Sequence, residues 1–347
     1  MLPTHTDYKR VLNVLVGHLE AQPEETLCLG RPFTYSQRTL LRCFLFLHLR
    51  RIHTFKAQHR WLVLHPEQAR EWGLQVVPHR TTLLRRYRQL TPWLDELIVA
   101  IAHWAQDLEA PRDPEQENGQ DVGQEHALQG RSCIEDKSLF RAKGPVWHQN
   151  DRKAGVVPVG LRSLDQDASW SRSAYHGWVY GYGLHLTVNA HSFPLLAQVE
   201  TASVSESQVM SEKEQRLLSW RPTDVVGDSA YTHLERVKAW AGQGVVLLSS
   251  GLKLGAKGEA GAYKHFIAQE DNQKLLRARK TQIEPAFDLI SKVAGTTQNH
   301  KQLPLQGLPK VRPFLLLCVV LTQLAMIVNH VWGLPPRNIS HMMAVLT

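Results

Sequence analysis

Val225-Val226-Gly227-Asp228-Ser229-Ala230-Tyr231 is a short apolar run that stops at an acid. The valines favour a buried strand. Thr232, followed three residues on by Glu235, has the form of a helix-opening capping box. A carboxylate at the carboxyl end of a strand in an open α/β sheet sits where such sheets bind ligands and metals. Asp228 is therefore read as one of several metal-binding acids, and its partners must come from earlier and later in the chain.

Working outward, the flanking segments order themselves into an α/β domain. Upstream, Cys133-Ile134-Glu135-Asp136 is an apolar-to-acidic step that ends a first strand. Gly177 to Asn189 alternates, with Trp178, Tyr180, Tyr182, Leu184, Leu186 and Val188 on one face. Leu195 to Glu200 is its partner strand, and Ser205 with Gln208 opens a helix that reaches Ser219. Downstream come a helix from Thr232 to Gly242, a strand from Val245 to Ser249, a Gly- and Lys-rich loop, and a helix from about Asn272 to Val293. Strand, strand, strand, helix, strand, helix, strand, helix is the order of the ribonuclease H-like fold, a mixed five-stranded sheet flanked by helices. That fold carries acids on the first strand, after the fourth strand and on the helix after the fifth. Asp136, Asp228 and Glu284 occupy those places. Glu135 is the rival for the first, Asp224 for the second and Asp288 for the third.

Acids in this arrangement suit phosphodiester chemistry. Two divalent ions generate a nucleophile at neutral pH and stabilise the leaving oxygen. Magnesium prefers oxygen ligands, and Mn²⁺ is expected to substitute. On the third-acid helix, Ile283, Phe287 and Ile290 form a packing stripe, and Arg277, Lys280 and Glu284 lie along a neighbouring face. Arg277, Lys280 and Lys292 are candidates for holding DNA phosphates there; the alternative is a surface helix with i,i+4 ion pairs.

The rest of the chain points to a polyanion. The formal net charge is +8 and the pI about 9.3. The segment Gln106 to Glu125 holds seven acids and one base, so the body of the chain is more basic than its total. Residues 1–108 read as helical. Within them Pro66 to Trp72, a turn through Gly73, and a basic helix capped by Thr81 or Thr82 resemble a helix-turn-helix, whose second helix enters the major groove. Arg80, Arg85, Arg86 and Arg88 are its candidate DNA contacts. The alternative is a helical hairpin with a solvated arginine face.

Residues 109–130 are polar, acidic and aperiodic, and read as a linker. Residues 131–334 form the α/β domain and 335–347 a tail. Between the first two strands, Phe140 to Gly177 interleaves Trp147, Trp170 and Tyr175 with Arg152, Lys153, Arg162 and Arg172. Either the rings and bases grip distorted DNA, through Arg152 and Lys153 among others, or the rings pack on the sheet. Pro313 to Val331 approaches membrane-spanning length, but Thr322, Gln323 and Asn329 interrupt it, and it reads as a buried core helix. The four cysteines show neither zinc nor disulfide spacing, as expected of a reducing cytosol.

Four stretches, in order, resemble the DDE transposases of bacterial insertion sequences, specifically the insertion-sequence-four-like group. They are Ile134-Glu135-Asp136-Lys137-Ser138 with Gly144-Pro145-Val146-Trp147-His148; Tyr175 to Tyr182 with Leu184-His185-Leu186; Val226 to Tyr231; and Arg277 to Lys292. The family's third-acid signature is tyrosine, arginine, glutamate, lysine. Its positions here hold Arg277, Lys280, Glu284 and Ser291, with Lys292 one residue late. Lys137 follows the first acid, where a small polar residue is usual. The resemblance implies a transposase that binds double-stranded DNA at element ends and at the target. It would cut and join strands with Mg²⁺ held by Asp136, Asp228 and Glu284, and act as a homo-oligomer on DNA. The expected location is the cytoplasm, at the nucleoid, with no membrane association. A nuclease of the same fold without strand transfer, and a non-catalytic DNA-binding copy, are the alternatives.

Overall fold

The computed structural model describes residues 2–20, 35–109, 132–173, 177–250, 254–255, 257–296 and 300–346. The expected linker lies almost wholly outside the described residues, as do Tyr175 and His176. Six helices come first: α1 (His5–Glu20), α2 (Gln37–Leu49), α3 (Phe55–Leu64), α4 (Pro66–Glu71), α5 (Arg80–Arg88) and α6 (Thr91–Glu109). The sheet strands are β1 (Cys133–Arg141), β2 (Ser169–Ser173), β3 (Gly177–Asn189), β4 (Pro194–Thr201), β5 (Asp224–Val226) and β6 (Val246–Leu248). Between and after them run α7 (Gln149–Lys153), α8 (Glu206–Ser219), α9 (Leu234–Ala241), α10 (Gly258–Ala268), α11 (Glu270–Val293), α12 (Leu308–Val331) and α13 (Ser340–Leu346).

The sheet is mixed. β3 pairs antiparallel with β1 on one edge and with β4 on the other, while β1, β5 and β6 run parallel. The order β4-β3-β1-β5-β6 is that of the ribonuclease H-like fold. β2, a short sixth strand inside the long excursion, continues alongside β3 beyond the end of β4. Two strand-level expectations shift. β1 does not end at Asp136 but runs on to Arg141, because every residue from Cys133 to Arg141 has a partner on β3. The capping at Asp228 also differs: Asp228 itself caps a single 3₁₀ turn, Ser229–Tyr231, accepting from the Ala230 amide at 2.7 Å. Thr232 is unavailable as a cap because its hydroxyl is bonded to Ser249 at the end of β6.

The helical region and the sheet share one hydrophobic core, and α12 is its centre. α12 packs on α1, α2, α5, α6 and α11 and on β4. By length and composition it could cross a membrane, but 94% of its most apolar window is buried inside the protein. Burying a Leu or Val side chain stabilises by about 2 kcal/mol, and α12 buries nearly every residue from Val311 to Asn329. Its polar interruptions serve as ties to neighbouring elements: the Gln323 amide nitrogen donates to the carbonyls of Ile98 and Pro194, each at 2.9 Å, and so links α6 to β4. The expected tail is partly helical. α13 packs on α1, and His341 is bonded to the Pro3 carbonyl at 2.7 Å.

Candidate active site

Register brings two acids together. β1 and β5 run parallel, with Ile134 opposite Val226. Side chains alternate every residue along a strand. Advancing two residues along each chain therefore reaches Asp136 and Asp228 on the same face, just past the carboxyl end of β5. Gly227 carries the chain across that step: its amide donates to the Leu248 carbonyl at 2.9 Å. A Cβ at Gly227 would meet the Tyr231 ring at 2.7 Å, so only glycine fits beneath that ring.

Asp136 is half-buried. One carboxylate oxygen accepts from the Lys137 amide at 2.8 Å, and the other from Arg279 Nη1 of α11 at 2.9 Å. Burial pushes its pKa up to about 6; Arg279 opposes the rise, and the nearby carboxylates of Asp228 and Glu206 add to it. Asp228 lies in a cleft of about 660 Å³, together with Ser229, Ser250, Arg277, Arg279 and Lys280. Arg279 is thus bonded to Asp136 and lines the cleft that holds Asp228. It was not singled out from the sequence, although it lies on the buried stripe of α11 with Ile283, Ala286 and Ile290.

The rivals to the two aspartates have other partners. Glu135 points to the opposite face of β1, where it is wholly buried, ion-paired to Lys213 at 2.6 Å and bonded by the Thr187 hydroxyl. Asp224 accepts from Ser132 at 2.7 Å and Thr223 at 2.9 Å at the start of β5. Glu284 lies one turn beyond Lys280 on the cleft-facing side of α11. It is exposed and makes no hydrogen bond or ion pair among the described residues. The i,i+4 pair of Lys280 with Glu284, which the alternative of a surface helix would make, is not formed among the described residues. Asp288 pairs instead with Lys292 at 2.7 Å, which engages that expected phosphate contact.

The candidate DNA contacts divide by burial. Arg277 and Lys280 are exposed at the cleft. Arg80, Arg85 and Arg88 are exposed on α5, whose cap is His79 rather than a threonine. Arg86 is corrected: it is 6% exposed and donates to the Tyr35 carbonyl at 3.2 Å, while its own carbonyl accepts from Gln37. It shares the inward stripe of Leu83, Tyr87 and Leu90 and fastens α5 to α2. In the excursion, the Trp147 indole donates to the Val156 carbonyl and that of Trp170 to the Trp147 carbonyl, so the rings brace the loop. Arg152 and Lys153 open onto a second cleft, of about 390 Å³, beside them.

A model of the transposase DDE domain matches residues 133–313, just over half of the chain. The chain belongs to the DDE-domain transposase family. No curated protein and no solved structure matches it significantly. The matched span takes in Asp136, Asp228 and Glu284, and the sheet and flanking helices are those of a ribonuclease H-like transposase domain. Transposase domains of this kind usually work with divalent metals. No group of three or more His, Cys, Asp or Glu side chains is arranged to hold a metal among the described residues. The two facing aspartates are the hard oxygen donors such an ion prefers, and Glu284 is not gathered with them.

Proposed function

We propose that this transposase belongs to the insertion-sequence-four-like group, binds the ends of its element and catalyses strand cleavage and strand transfer. The observation that carries this reading is the Asp136–Asp228 pair at the sheet edge, within a DDE domain and beside a basic cleft. Mg²⁺, or Mn²⁺ in its place, held by the two aspartates and Glu284 would supply an activated water or 3′-hydroxyl and stabilise the leaving oxygen. The protein's own groups do the rest. Asp136 keeps its carboxylate oriented by the Lys137 amide. Asp228 is held by its own helix-capping bond. Arg277 and Lys280 hold the DNA backbone over the cleft, and Arg80, Arg85 and Arg88 of α5 hold it at the element end. Two ends must be joined, so the working form is a homo-oligomer on DNA, in the cytoplasm at the nucleoid.

The test is cleavage of DNA carrying the gene's own flanking ends, with Mg²⁺ or Mn²⁺, by the wild type and Asp228→Ala. Metal-dependent cutting and joined products, lost in the variant while DNA binding persists, are expected. Cut ends without joined products would reduce the activity to that of a nuclease. Cutting that persists in the variant would overturn the site.

A further inference from the structure

The sheet has a gap beside the acids. On the edge away from β3, β1 pairs with β5 only at Cys133 and Ile134, and β5 ends at Val226. Further on, the segment Lys301–Leu303 returns to that same edge. There the Arg141 amide donates to the Lys301 carbonyl at 2.7 Å, and the Leu303 amide to the Arg141 carbonyl at 2.9 Å. Between these contacts, from Glu135 to Phe140, no strand among the described residues pairs with β1 on that edge. At strand rise the opening from Ile134 to Arg141 is about 23 Å long. Asp136 and Asp228 lie toward one end of it, and Lys301 lies at the other. A crevice where the neighbours of a parallel strand part, at the carboxyl ends, is where α/β sheets take their ligands.

Lys301 reaches the face of β1 that carries Asp136. Its ammonium donates to the Ser138 hydroxyl at 2.8 Å and stands 5.5 Å from the centre of the Phe140 ring. The ladder of β1 with β3 keeps one register from Cys133 to Arg141, so Asp136, Ser138 and Phe140 share one face. Ser138 and Asp136 leave the strand about 7 Å apart, a span of about two nucleotide rises.

The charge of Lys301 has no opposite number. The side chain is half-buried and makes no ion pair among the described residues; its partners are a neutral hydroxyl and a ring. Other bases packed on this sheet meet carboxylates: Lys213 meets Glu135, Arg279 meets Asp136 and Arg312 meets Glu200. Burial disfavours the charged form of Lys301, and the charge of Asp288 on α11 opposes that effect. An ammonium has three donors, and a cation held among neutral groups is costly unless an anion joins it. Lys292, the base expected from the sequence to meet phosphate on α11, is engaged by Asp288.

We propose that Lys301 holds a backbone phosphate of the DNA strand that lies across Asp136 and Asp228, with Ser138 fixing its ammonium. This rests on reading that cleft as the place where DNA is cut. Arg277 and Lys280 hold the backbone beside Asp228, and Lys301 holds it beyond Asp136 along β1, so the strand is gripped on both sides of the acids.

The experiment is binding of the full chain to DNA carrying the gene's own flanking ends, in EDTA, followed by fluorescence anisotropy across a KCl series. It compares wild type, Lys301→Gln, Lys301→Met, Lys301→Arg and Arg85→Ala. Each phosphate contact contributes about one unit to the slope of log affinity against log salt. We expect both neutral variants to lower the slope by about one unit and Lys301→Arg to keep it, with circular dichroism unchanged. Lys301→Met retains an apolar stem over Phe140 and Lys301→Gln a polar end for Ser138, so the result does not hang on one variant folding. On DNA whose phosphates flanking the cleaved bond are neutral methylphosphonates, Lys301→Gln should cost no further slope, because its contact is already gone. A wild-type slope in the neutral variants would overturn the role of Lys301; if Arg85→Ala still lowers the slope, the DNA reading stands. A further unit lost on the methylphosphonate DNA would put the contact elsewhere on the duplex and also overturn the proposal. Wild-type binding as tight at 200 mM salt as at 50 mM would overturn the DNA-binding reading itself, and the proposal with it.

Discussion

Asp136→Asn is expected to stabilise the metal-free protein at neutral and alkaline pH. The Asp136 carboxyl titrates near 3.8 in an unfolded chain and is pushed up to about 6 in the fold, by burial first and by Asp228 and Glu206 after it. Between those values the folded state holds a proton that the unfolded state has released. Stability therefore falls as pH rises from about 4 to about 6, and stays low above that. A rise of about two pKa units corresponds to about 3 kcal/mol at most, and partial solvent access reduces it to about half. The amide cannot ionise, so the variant escapes the whole of this loss. Arg279 is left without Asp136 but lines the same cleft as Asp228, to which its charge can turn. Any constant offset from the substitution itself is removed by comparing one pH with another. In calorimetry with EDTA, the melting temperature of Asp136→Asn relative to wild type should rise by a few degrees between pH 4 and pH 8. A relative melting temperature that falls across that range would show that Arg279 outweighs burial, and would refute the electrostatic reasoning.

Three further outcomes follow from particular contacts. Lys213→Met strands the buried Glu135 carboxylate and should cost about 3–5 kcal/mol by chemical denaturation, whereas Lys213→Met with Glu135→Gln should recover most of that loss. Gly227→Ala drives a Cβ into the enclosed Tyr231 ring and should cost about 1–3 kcal/mol, visible as a lower melting temperature with a perturbed Asp228 turn. Arg85→Ala and Arg88→Ala should each lower the salt dependence of DNA binding by about one unit of slope while leaving the melting temperature unchanged. Arg86→Ala should instead lower the melting temperature, because it removes the bond to Tyr35.

The strand order was legible because each strand carries its own local signal: alternation in β3, a valine run ending at an acid in β5. The split between Glu135 and Asp136 was legible too, since neighbouring residues on a strand must face opposite ways. The length of β1 was not. Lys137-Ser138-Leu139-Phe140-Arg141 has no clear period, and only the ladder with β3 makes it a strand. Arg86 shows the limit of reading charge without phase. Arg85 and Arg86 look alike as letters, yet Arg86 falls with Leu83, Tyr87 and Leu90 on one stripe, and burial follows the stripe. Thr232 failed as a cap for a different reason: its hydroxyl has a tertiary competitor in Ser249 that no local pattern announces.

The centre itself was half legible, and the reason lies in how it is assembled. Asp136 and Asp228 meet through strand register, which is set by local hydrophobic runs and so leaves a trace in the sequence. Glu284 is read only from its place in the strand and helix order, and it stays exposed and without a hydrogen bond or ion pair among the described residues. The counter-ions were not legible: nothing in their spacing marks out Lys137 or Arg279, yet one is turned to the Ala202 and Val204 carbonyls and the other to Asp136. Asp136 and Asp228 repel each other, and Arg279, bonded to Asp136 and lining the same cleft as Asp228, offsets that repulsion without a cation. A site that must later accept a cation and a phosphate backbone is thus held, in the free protein, by the protein's own positive charges. Those charges have to be given other partners before the acids can act together.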